Sequence, residues 1–433
     1  VESELDTIAP PPAELVTRVD ALADDVARAR VLALAIDPRA IDAAARAATA
    51  ARELGYLPLA GRAALVHGIA LLLQQRRADG ITVLDAAMRL ALQAGDPTTA
   101  VEAVARELYA VASASSPATL PSGVATDDTA LELVQAIARG LPDTGAFARA
   151  LLFNNAGTLQ LARQQRTAAA RWFEDALRVR PPVAGDTIEL ATIPGNLALV
   201  VDDTARRDRL ARQQAEELAA VVGEDHPMTI DARIQIAMFV ADPRAAGAQL
   251  GDACARYRRM HPHLAERITQ CAYEVAWLAE ERGDLAAARD AIAATTKQGK
   301  EARIAHGLGL LLDGHGPEAA RELVALADEV TEQAHYWQRW RSVDALLYAA
   351  LAEHAAGRRD ASRGLLERAL STLSSIEHIA RTPFYQRRLA RVHLELARLD
   401  GPERARHAAA AAAWYRDVPG YETVASEAAR LAQ

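Results

Sequence analysis

Residues 153–181 read FNNAGTLQLARQQRTAAARWFEDALRVRP, and this stretch decides the fold. Small residues stand at Gly157 and Ala169, where two consecutive helices can cross closely only if the side chains between them are small. Phe153 and Phe173 fill the space beside this crossing. Pro181 ends the second helix, because proline lacks an N–H and its ring clashes with the preceding turn. The stretch therefore predicts an antiparallel pair of helices.

This helix pair resembles one unit of the tetratricopeptide (TPR) family. The family pattern is W-x2-L-G-x2-Y…A-x3-F…P over about 34 residues. Phe153 takes the first aromatic position and Gln160 replaces the usual tyrosine, while the small residues and the closing proline are in place. One hairpin cannot bury its apolar face alone, so stacked copies are expected. The resemblance implies an all-α, right-handed superhelical solenoid with a concave groove.

The composition also favours an all-α chain and argues against several classes of function. Apolar residues make up 51% of the chain but aromatic residues only 4%, and strand-forming runs are scarce. The net charge of −8, without a basic stripe, argues against nucleic acid as a partner. No apolar run approaches the roughly 18 residues of a membrane span, so we predict no membrane insertion. The alanine and arginine richness indicates a GC-rich bacterial genome.

The chain divides into a lead-in and a long helical array. Residues 1–12 contain IAPPP, which is typical of a linker, and residues 13–433 carry the signals of about nine to ten TPR-like hairpins. The turn-forming segment at residues 113–128 predicts an extended loop within the array. The chain begins at Val1 without a signal-peptide pattern, and we interpret it as a fragment of a larger cytoplasmic protein.

Two further features resemble particular types of TPR protein. The Asn-rich first helices (Asn154–Gly157 and Asn196–Ala198) and the GEDHP turn at 223–227 resemble the kinesin-light-chain type. The proline-rich lead-in followed by ARELGYLPLAGRAALVHGIALLL at 51–73 resembles the TPR region behind the catalytic domain of large myxobacterial serine/threonine kinases. The chain itself contains no glycine-rich phosphate loop, HRD or DFG motif. We therefore predict that it is not an enzyme and uses no cofactor.

One polar position recurs just before the small residues of successive first helices. Asn155, Asn196, Gln235 and Glu274 follow one another at spacings of 41, 39 and 39 residues (196 − 155, 235 − 196, 274 − 235). By resemblance to TPR groove binders this position faces the concave surface, where an asparagine can both donate to and accept from a peptide backbone. The predicted peptide-binding residues are Asn154, Asn155, Asn196, Gln235, Tyr273 and Glu274. The alternative is that these side chains bridge neighbouring helices of the array.

A second candidate is the aromatic segment HYWQRWR at 335–341. Tryptophan and arginine are enriched in binding hot spots. Trp337 and Trp340, three residues apart, lie on one face of a helix. Trp337, Trp340 and Arg341 are therefore secondary binding candidates, and the alternative is that the tryptophans pack between repeats.

Metal binding and catalysis have little support in the sequence. Cys254, His261, His263 and Cys271 offer ligand types that suit zinc, but their spacing fits no paired motif, so we predict no metal site. We expect the two cysteines on the apolar faces of adjacent helices, without a disulfide framework. Acidic pairs such as Glu280-Glu281 indicate solvated helix faces rather than catalytic carboxylates.

The sequence supports three hypotheses about function. The first is a non-enzymatic interaction or sensor module of a larger signalling protein, which binds a peptide or protein segment in its concave groove. The second is a regulatory arm that autoinhibits an upstream kinase or NTPase catalytic domain in cis. The third is a structural scaffold that self-associates through its end repeats.

Overall fold

The computed structural model describes residues 8–113, 128–185, 187–296, 299–333, 339–376, 382–399 and 401–433. Within these ranges every regular element is helical, as the composition predicted. The chain forms two compact units, Val1–Val201 (unit 1) and Asp202–Gln433 (unit 2). The loop predicted at residues 113–128 falls almost entirely outside the described residues.

In its described part, unit 1 contains nine α-helices and two short 3-10 turns, at Asp143–Gly145 and Ile188–Ala191. The helices are α1 (Val16–Leu34), α2 (Ala40–Leu54), α3 (Leu57–Leu73), α4 (Arg77–Gln93), α5 (Pro97–Ala112), α6 (Asp128–Arg139), α7 (Ala146–Ala162), α8 (Arg166–Val179) and α9 (Thr192–Ala198). Successive helices such as α3 and α4, or α7 and α8, pack against each other as hairpins.

Unit 2 contains twelve α-helices in the residues that the structure describes. They are α10 (Thr204–Val222), α11 (Pro227–Phe239), α12 (Pro243–Met260), α13 (Ala265–Glu281), α14 (Leu285–Ala293), α15 (Lys300–Leu312), α16 (Gly316–Gln333), α17 (Trp340–Ala355), α18 (Arg359–Ile376), α19 (Pro383–Arg398), α20 (Arg404–Tyr415) and α21 (Glu422–Leu431).

A glycine placed sixteen residues before a large side chain marks the helix crossing of three hairpins. A Cβ atom on Gly157 would lie only 2.6 Å from the ring of Phe173, which is fully buried. The same close approach recurs at the same separation for Gly68 with Leu84 and for Gly307 with Leu323 (173 − 157, 84 − 68, 323 − 307). The small position predicted at Gly157 is therefore the point at which the second helix packs against the first.

The turn before α5 shows how the local sequence ends one helix and begins the next. Gly95 adopts a left-handed conformation with φ of 68°, which favours glycine and ends α4. Asp96 then caps α5 by accepting a hydrogen bond from the backbone N–H of Thr99 at 3.0 Å. Pro97 occupies the first position of α5, where the absence of an N–H costs nothing.

Candidate functional site

A groove with a volume of about 720 Å³ lies in unit 1 between α1, α3 and the start of α5. Its floor is apolar and consists of Val26 from α1 with Leu59, Leu65 and Val66 from α3. These four side chains belong to the packed core of the first helices, so the floor is held in place by the fold itself. We call this cavity the unit-1 groove.

Charged side chains stand at the rim of the unit-1 groove. Arg62 donates from Nε to the carboxylate of Asp96 at 3.3 Å, and 55% of its side chain remains exposed. Asp96 is buried, and its carboxylate is satisfied there because it caps α5 and accepts from the hydroxyl of Thr99 at 2.7 Å. The arrangement presents a partly exposed guanidinium at the mouth of an apolar cavity.

A chain of alternating charges runs behind the groove from α1 to the turn before α9. Arg30 donates to Glu102 at 3.2 Å, and Arg106 donates to Glu102 at 2.8 Å and to Glu189 at 2.7 Å. Burial alone would raise the pKa of Glu102, but Arg30 and Arg106 outweigh it and hold that pKa below its usual value. Two cations and two anions balance, so these four side chains add no net charge to this wall of the groove.

The lead-in of the chain borders the unit-1 groove at one residue, Ile8. Ile8 contributes to its lining and is half-buried. The hydroxyl of Tyr56 donates to the backbone carbonyl of Ala9 at 2.8 Å. Residues Ile8–Pro12 form no regular element until α1 begins at Val16. The proline-rich lead-in is therefore held against unit 1 by one apolar side chain in the groove lining and by one main-chain hydrogen bond from Tyr56, which lies outside that lining.

The asparagines predicted to bind a peptide form a hydrogen-bonded chain within unit 1. The side-chain amide of Asn155 donates to the backbone carbonyl of Ala105 at 2.8 Å. Asn154 donates to the side-chain oxygen of Asn155 at 2.9 Å, and Asn196 donates to that of Asn154 at 2.9 Å. Asn154 and Asn155 are buried and Asn196 is half-buried. Their amides connect α5, α7 and α9, the arrangement that the bridging alternative describes.

The remaining members of the predicted ladder lie in unit 2. Gln235 is partly exposed on α11, whereas Tyr273 and Glu274 are buried on α13. Arg388, on α19, covers them: it donates to Asp344 at 2.8 and 3.0 Å and to Glu274 at 3.0 Å. Tyr273 donates to the same Asp344 at 2.7 Å. The face of α13 that was predicted to contact a ligand therefore contacts α17 and α19 of the same unit.

Aromatic rings enclose the buried guanidinium of Arg388. Its central carbon lies 3.8 Å from the ring centre of Phe384, 4.5 Å from that of Trp277 and 4.8 Å from that of Trp340. Cation–π contacts of this kind gain strength when they are desolvated. Burial opposes the charged form of Arg388, but Asp344 and Glu274 outweigh it and raise its pKa well above the usual value.

The secondary binding candidates divide between described and undescribed residues. Trp340 is buried and packs edge-to-face on Phe384 with ring centres 5.0 Å apart. Arg341 forms an ion pair with Glu301 and stacks on the ring of Trp340 at 4.0 Å. Trp337 lies outside the described residues. Trp340 thus packs inside unit 2, as the alternative for the tryptophans describes, and Arg341 lies beside it with little of its side chain exposed.

The acidic pair Glu280-Glu281 does not lie on a solvated face, and the prediction that it does is wrong. Glu281 is buried and accepts hydrogen bonds from Tyr415 and Tyr421, which fasten the end of unit 2 to α13. Glu280 accepts from Arg391 of α19 at 3.3 Å. Burial raises the pKa of Glu281 to about 7. The periodicity of α13 placed both carboxylates correctly on a helix, but it gave no information about the later helix that covers them.

Sequence reasoning missed the role of α19. Its arginines Arg387, Arg388 and Arg391 all point toward α13 or α11 and are buried or nearly so. Arg387 donates to the backbone carbonyls of Val240 and Ala241 at 3.0 Å each, at the end of α11. The sequence shows an R-R-x-x-R pattern at residues 387–391, but α19 also carries other polar side chains, so the pattern alone does not mark these arginines as buried. Once they are buried, they require acidic partners elsewhere in the chain.

A disulfide joins Cys254 of α12 to Cys271 of α13. The two cysteines do lie on the apolar faces of adjacent helices, and they form a single disulfide that the sequence analysis, which expected no disulfide framework, did not predict. Both are buried beside Tyr257 and Ile268. Because their sulfurs bond to each other, neither offers a thiolate to a metal. Disulfides persist mainly in oxidising environments, so the cytoplasmic location predicted from the sequence gains no support from this pair.

Comparisons with known proteins concern the fold. No protein-family model matches the chain, and no curated protein matches it. Among solved structures, a Rap protein complexed with competence and sporulation factor is similar at 14% identity and a TM-score of 0.40, covering 88% of this chain and 100% of that chain. The APC/C hetero-tetramer Cut9–Hcn1 is similar at 12% identity and a TM-score of 0.36, covering 96% of this chain and 86% of that chain.

The fold is a TPR-like helical repeat. The paired helices and the glycine at the crossing of three hairpins carry this conclusion. None of the helices in the described ranges is both long and apolar enough to cross a membrane. The resemblance to kinesin-light-chain repeats and to kinase-associated arrays finds no counterpart among these matches.

Proposed function

We propose that this chain is a non-enzymatic interaction module, and that the unit-1 groove binds an extended segment of a partner protein. The observation that carries the proposal is the groove itself: an apolar floor of fixed core side chains with polar groups at its rim. Ligand sites commonly have volumes of about 300–1,000 Å³ and a few polar groups that fix orientation. The groove, at about 720 Å³, falls within this range.

Polar groups in unit 1 suit an extended ligand. Arg62 keeps 55% of its side chain exposed at the mouth, where a ligand carboxylate or carbonyl can accept from it. Tyr56 already donates to a main-chain carbonyl, which is the contact that an extended segment offers whatever its sequence. The ligand needs no regular secondary structure, because each of these donors requires only one acceptor atom from it.

The inner face of α13 in unit 2 is less suited to a ligand. Tyr273 and Glu274 are covered by Arg388, which is itself fully buried and bonded to two carboxylates. A ligand at that face would have to displace a guanidinium from its partners and leave buried charges unpaired, which is costly. We therefore place the interaction in unit 1. The link to an upstream kinase domain stays a prediction from the sequence.

Two tryptophan substitutions on α1 test the proposal. Ala27 is exposed and lines the groove, whereas Ala21 is exposed on the same helix but does not line it. Ten-residue peptides selected from a random displayed library on the full chain should bind Ala27→Trp at least tenfold more weakly than the unmodified chain. Their affinity for Ala21→Trp, the matched control, should be unchanged.

The same experiment separates this proposal from the sequence prediction about asparagines. If Asn155 and Asn196 hold the ligand, their double replacement by alanine abolishes binding while helicity is retained, and Ala27→Trp binds normally. That result, or selection of no peptide at all, would refute binding in the unit-1 groove.

A further inference from the structure

One residue of the lead-in, Ile8, lines the unit-1 groove in the structure, and its side chain indicates what the groove accepts. We infer that Ile8–Pro12 is an internal ligand of this groove, and that external ligands are extended segments with an aliphatic residue followed by prolines, which displace it. The inference depends on the proposed function, because it assumes that the groove is a binding site. It adds the chemical class of the ligand and a competitor within the chain.

The contacts of the lead-in are of the kind that another segment can reproduce. Ile8 adds an aliphatic side chain to a lining whose floor is formed by valine and leucine side chains. Tyr56 reads the carbonyl of Ala9 and not its side chain. Any segment with an aliphatic residue at the first position can therefore make the same pair of contacts.

The three prolines after Ala9 explain why this segment forms no regular element beside a helical array. Proline fixes φ near −65° and has no N–H, so Pro10–Pro12 can continue neither a helix nor a strand ladder. A polyproline-type segment needs no internal hydrogen bonds and loses little conformational freedom when it binds. External ligands with the same proline content gain the same advantage.

The tether makes the lead-in an effective competitor. A segment linked to its site by a short chain acts at an effective concentration on the order of millimolar. Its contacts are few: one half-buried side chain and one hydrogen bond at 2.8 Å. The tethered lead-in therefore outcompetes a free segment that makes only the same contacts. A ligand that fills more of the groove binds more tightly and displaces the lead-in.

The test uses the full chain and a fluorescein-labelled peptide, TIAPPPA, which copies residues 7–13. Ile8→Asp replaces the apolar side chain by a charge and should release the lead-in without affecting folding, since it precedes α1. Fluorescence anisotropy should show that Ile8→Asp binds the peptide roughly tenfold more tightly than the unmodified chain. Adding Tyr56→Phe to Ile8→Asp should weaken binding about two- to tenfold, because one hydrogen bond is lost.

Two controls define the outcome that overturns the inference. The peptide TDAPPPA should not bind Ile8→Asp, and Ala27→Trp added to Ile8→Asp should abolish binding of TIAPPPA. Equal affinity of Ile8→Asp and the unmodified chain for TIAPPPA would refute the internal-ligand role. If library peptides enter the groove but TIAPPPA does not bind, the inference fails while the proposed function stands.

Discussion

Replacement of Arg388 by methionine should destabilise unit 2 severely, because two buried carboxylates depend on this one guanidinium. Arg388 is fully buried and donates to Asp344 at 2.8 and 3.0 Å and to Glu274 at 3.0 Å. Methionine fills a similar volume and keeps contact with the surrounding aromatic rings. The variant therefore removes the charge and the hydrogen bonds while leaving the packing largely intact.

The magnitude follows from the cost of leaving a charge buried without its partner. Breaking a buried ion pair by removing one member costs about 3–5 kcal/mol. Arg388 serves two carboxylates, so we expect a loss in the upper half of that range. Domains are commonly stable by only about 5–15 kcal/mol, so the variant should lose a large fraction of its free energy of unfolding.

The loss should depend on pH in a defined direction. Burial already raises the pKa of Glu274 above its usual value, and removal of Arg388 removes the largest opposing influence. A carboxyl whose pKa is raised in the folded state contributes stability at low pH, and this contribution is lost as pH rises. The destabilisation of Arg388→Met should therefore be smaller at pH 5 than at pH 8.

The matched control neutralises the whole cluster. The triple variant Arg388→Met, Asp344→Asn and Glu274→Gln leaves no charge in this cluster, and a neutral amide costs less to bury than an unpaired carboxylate does. Urea unfolding, followed by tryptophan fluorescence and circular dichroism, should place the triple variant nearer the unmodified protein than the single variant. Equal destabilisation of the two variants, or a loss below about 1 kcal/mol in Arg388→Met, would refute the reasoning.

Three further predictions concern packing, pH and redox state. Gly157→Ala should lower the free energy of unfolding by about 1–2 kcal/mol, since its Cβ would meet a buried ring at 2.6 Å; Gly364→Ala, with nothing within 4 Å, should raise it by about 0.5–1 kcal/mol in the same urea titration. Burial raises the folded pKa of Glu281 to about 7 from an ordinary 4.5, so stability present below the ordinary value is lost as pH rises. Glu281→Gln should accordingly gain about 2–3 kcal/mol relative to the unmodified protein between pH 4.5 and 8, and a pH-independent difference would contradict this assignment. Reduction of the Cys254–Cys271 disulfide, which spans 17 residues, should cost about 3 kcal/mol in unfolding experiments with dithiothreitol, and the double alanine variant should not respond to the reductant.

The features that the sequence predicted well are local ones. Gly157 and Phe173 lie on the two helices of one hairpin, and the crossing they mark depends only on helix geometry and side-chain size. The turn Gly95–Pro97, described with the fold, depends on equally local chemistry, because a left-handed glycine, a capping aspartate and a proline each act within one helical turn. Periodicity and turn chemistry therefore recovered the all-α, TPR-like fold without reference to distant residues.

The features that it could not predict join residues far apart in the chain. Glu274 and Arg388 are 114 residues apart, and Glu281 and Tyr421 are 140 apart. Helical periodicity identifies which positions face the inside of a repeat, but it does not reveal whether solvent, a ligand or another helix of the same chain lies there. The disulfide was missed for the same reason, since spacing alone does not set the distance between two sulfur atoms.

Polar residues at one repeat position thus need a second criterion before they are assigned to a ligand. Asn155 and Glu274 share a position in their repeats, yet one bonds a backbone carbonyl of α5 and the other a guanidinium of α19. Charge balance supplies that criterion in unit 2, because the buried carboxylates of α13 require buried cations and the arginines of α19 are suitably placed. Arg62 in unit 1 differs from these buried arginines. Although it pairs with Asp96, it keeps more than half of its side chain exposed beside an apolar floor. The exposed guanidinium of Arg62 beside an apolar floor, rather than a position in the repeat, is therefore the feature that favours a ligand at the unit-1 groove.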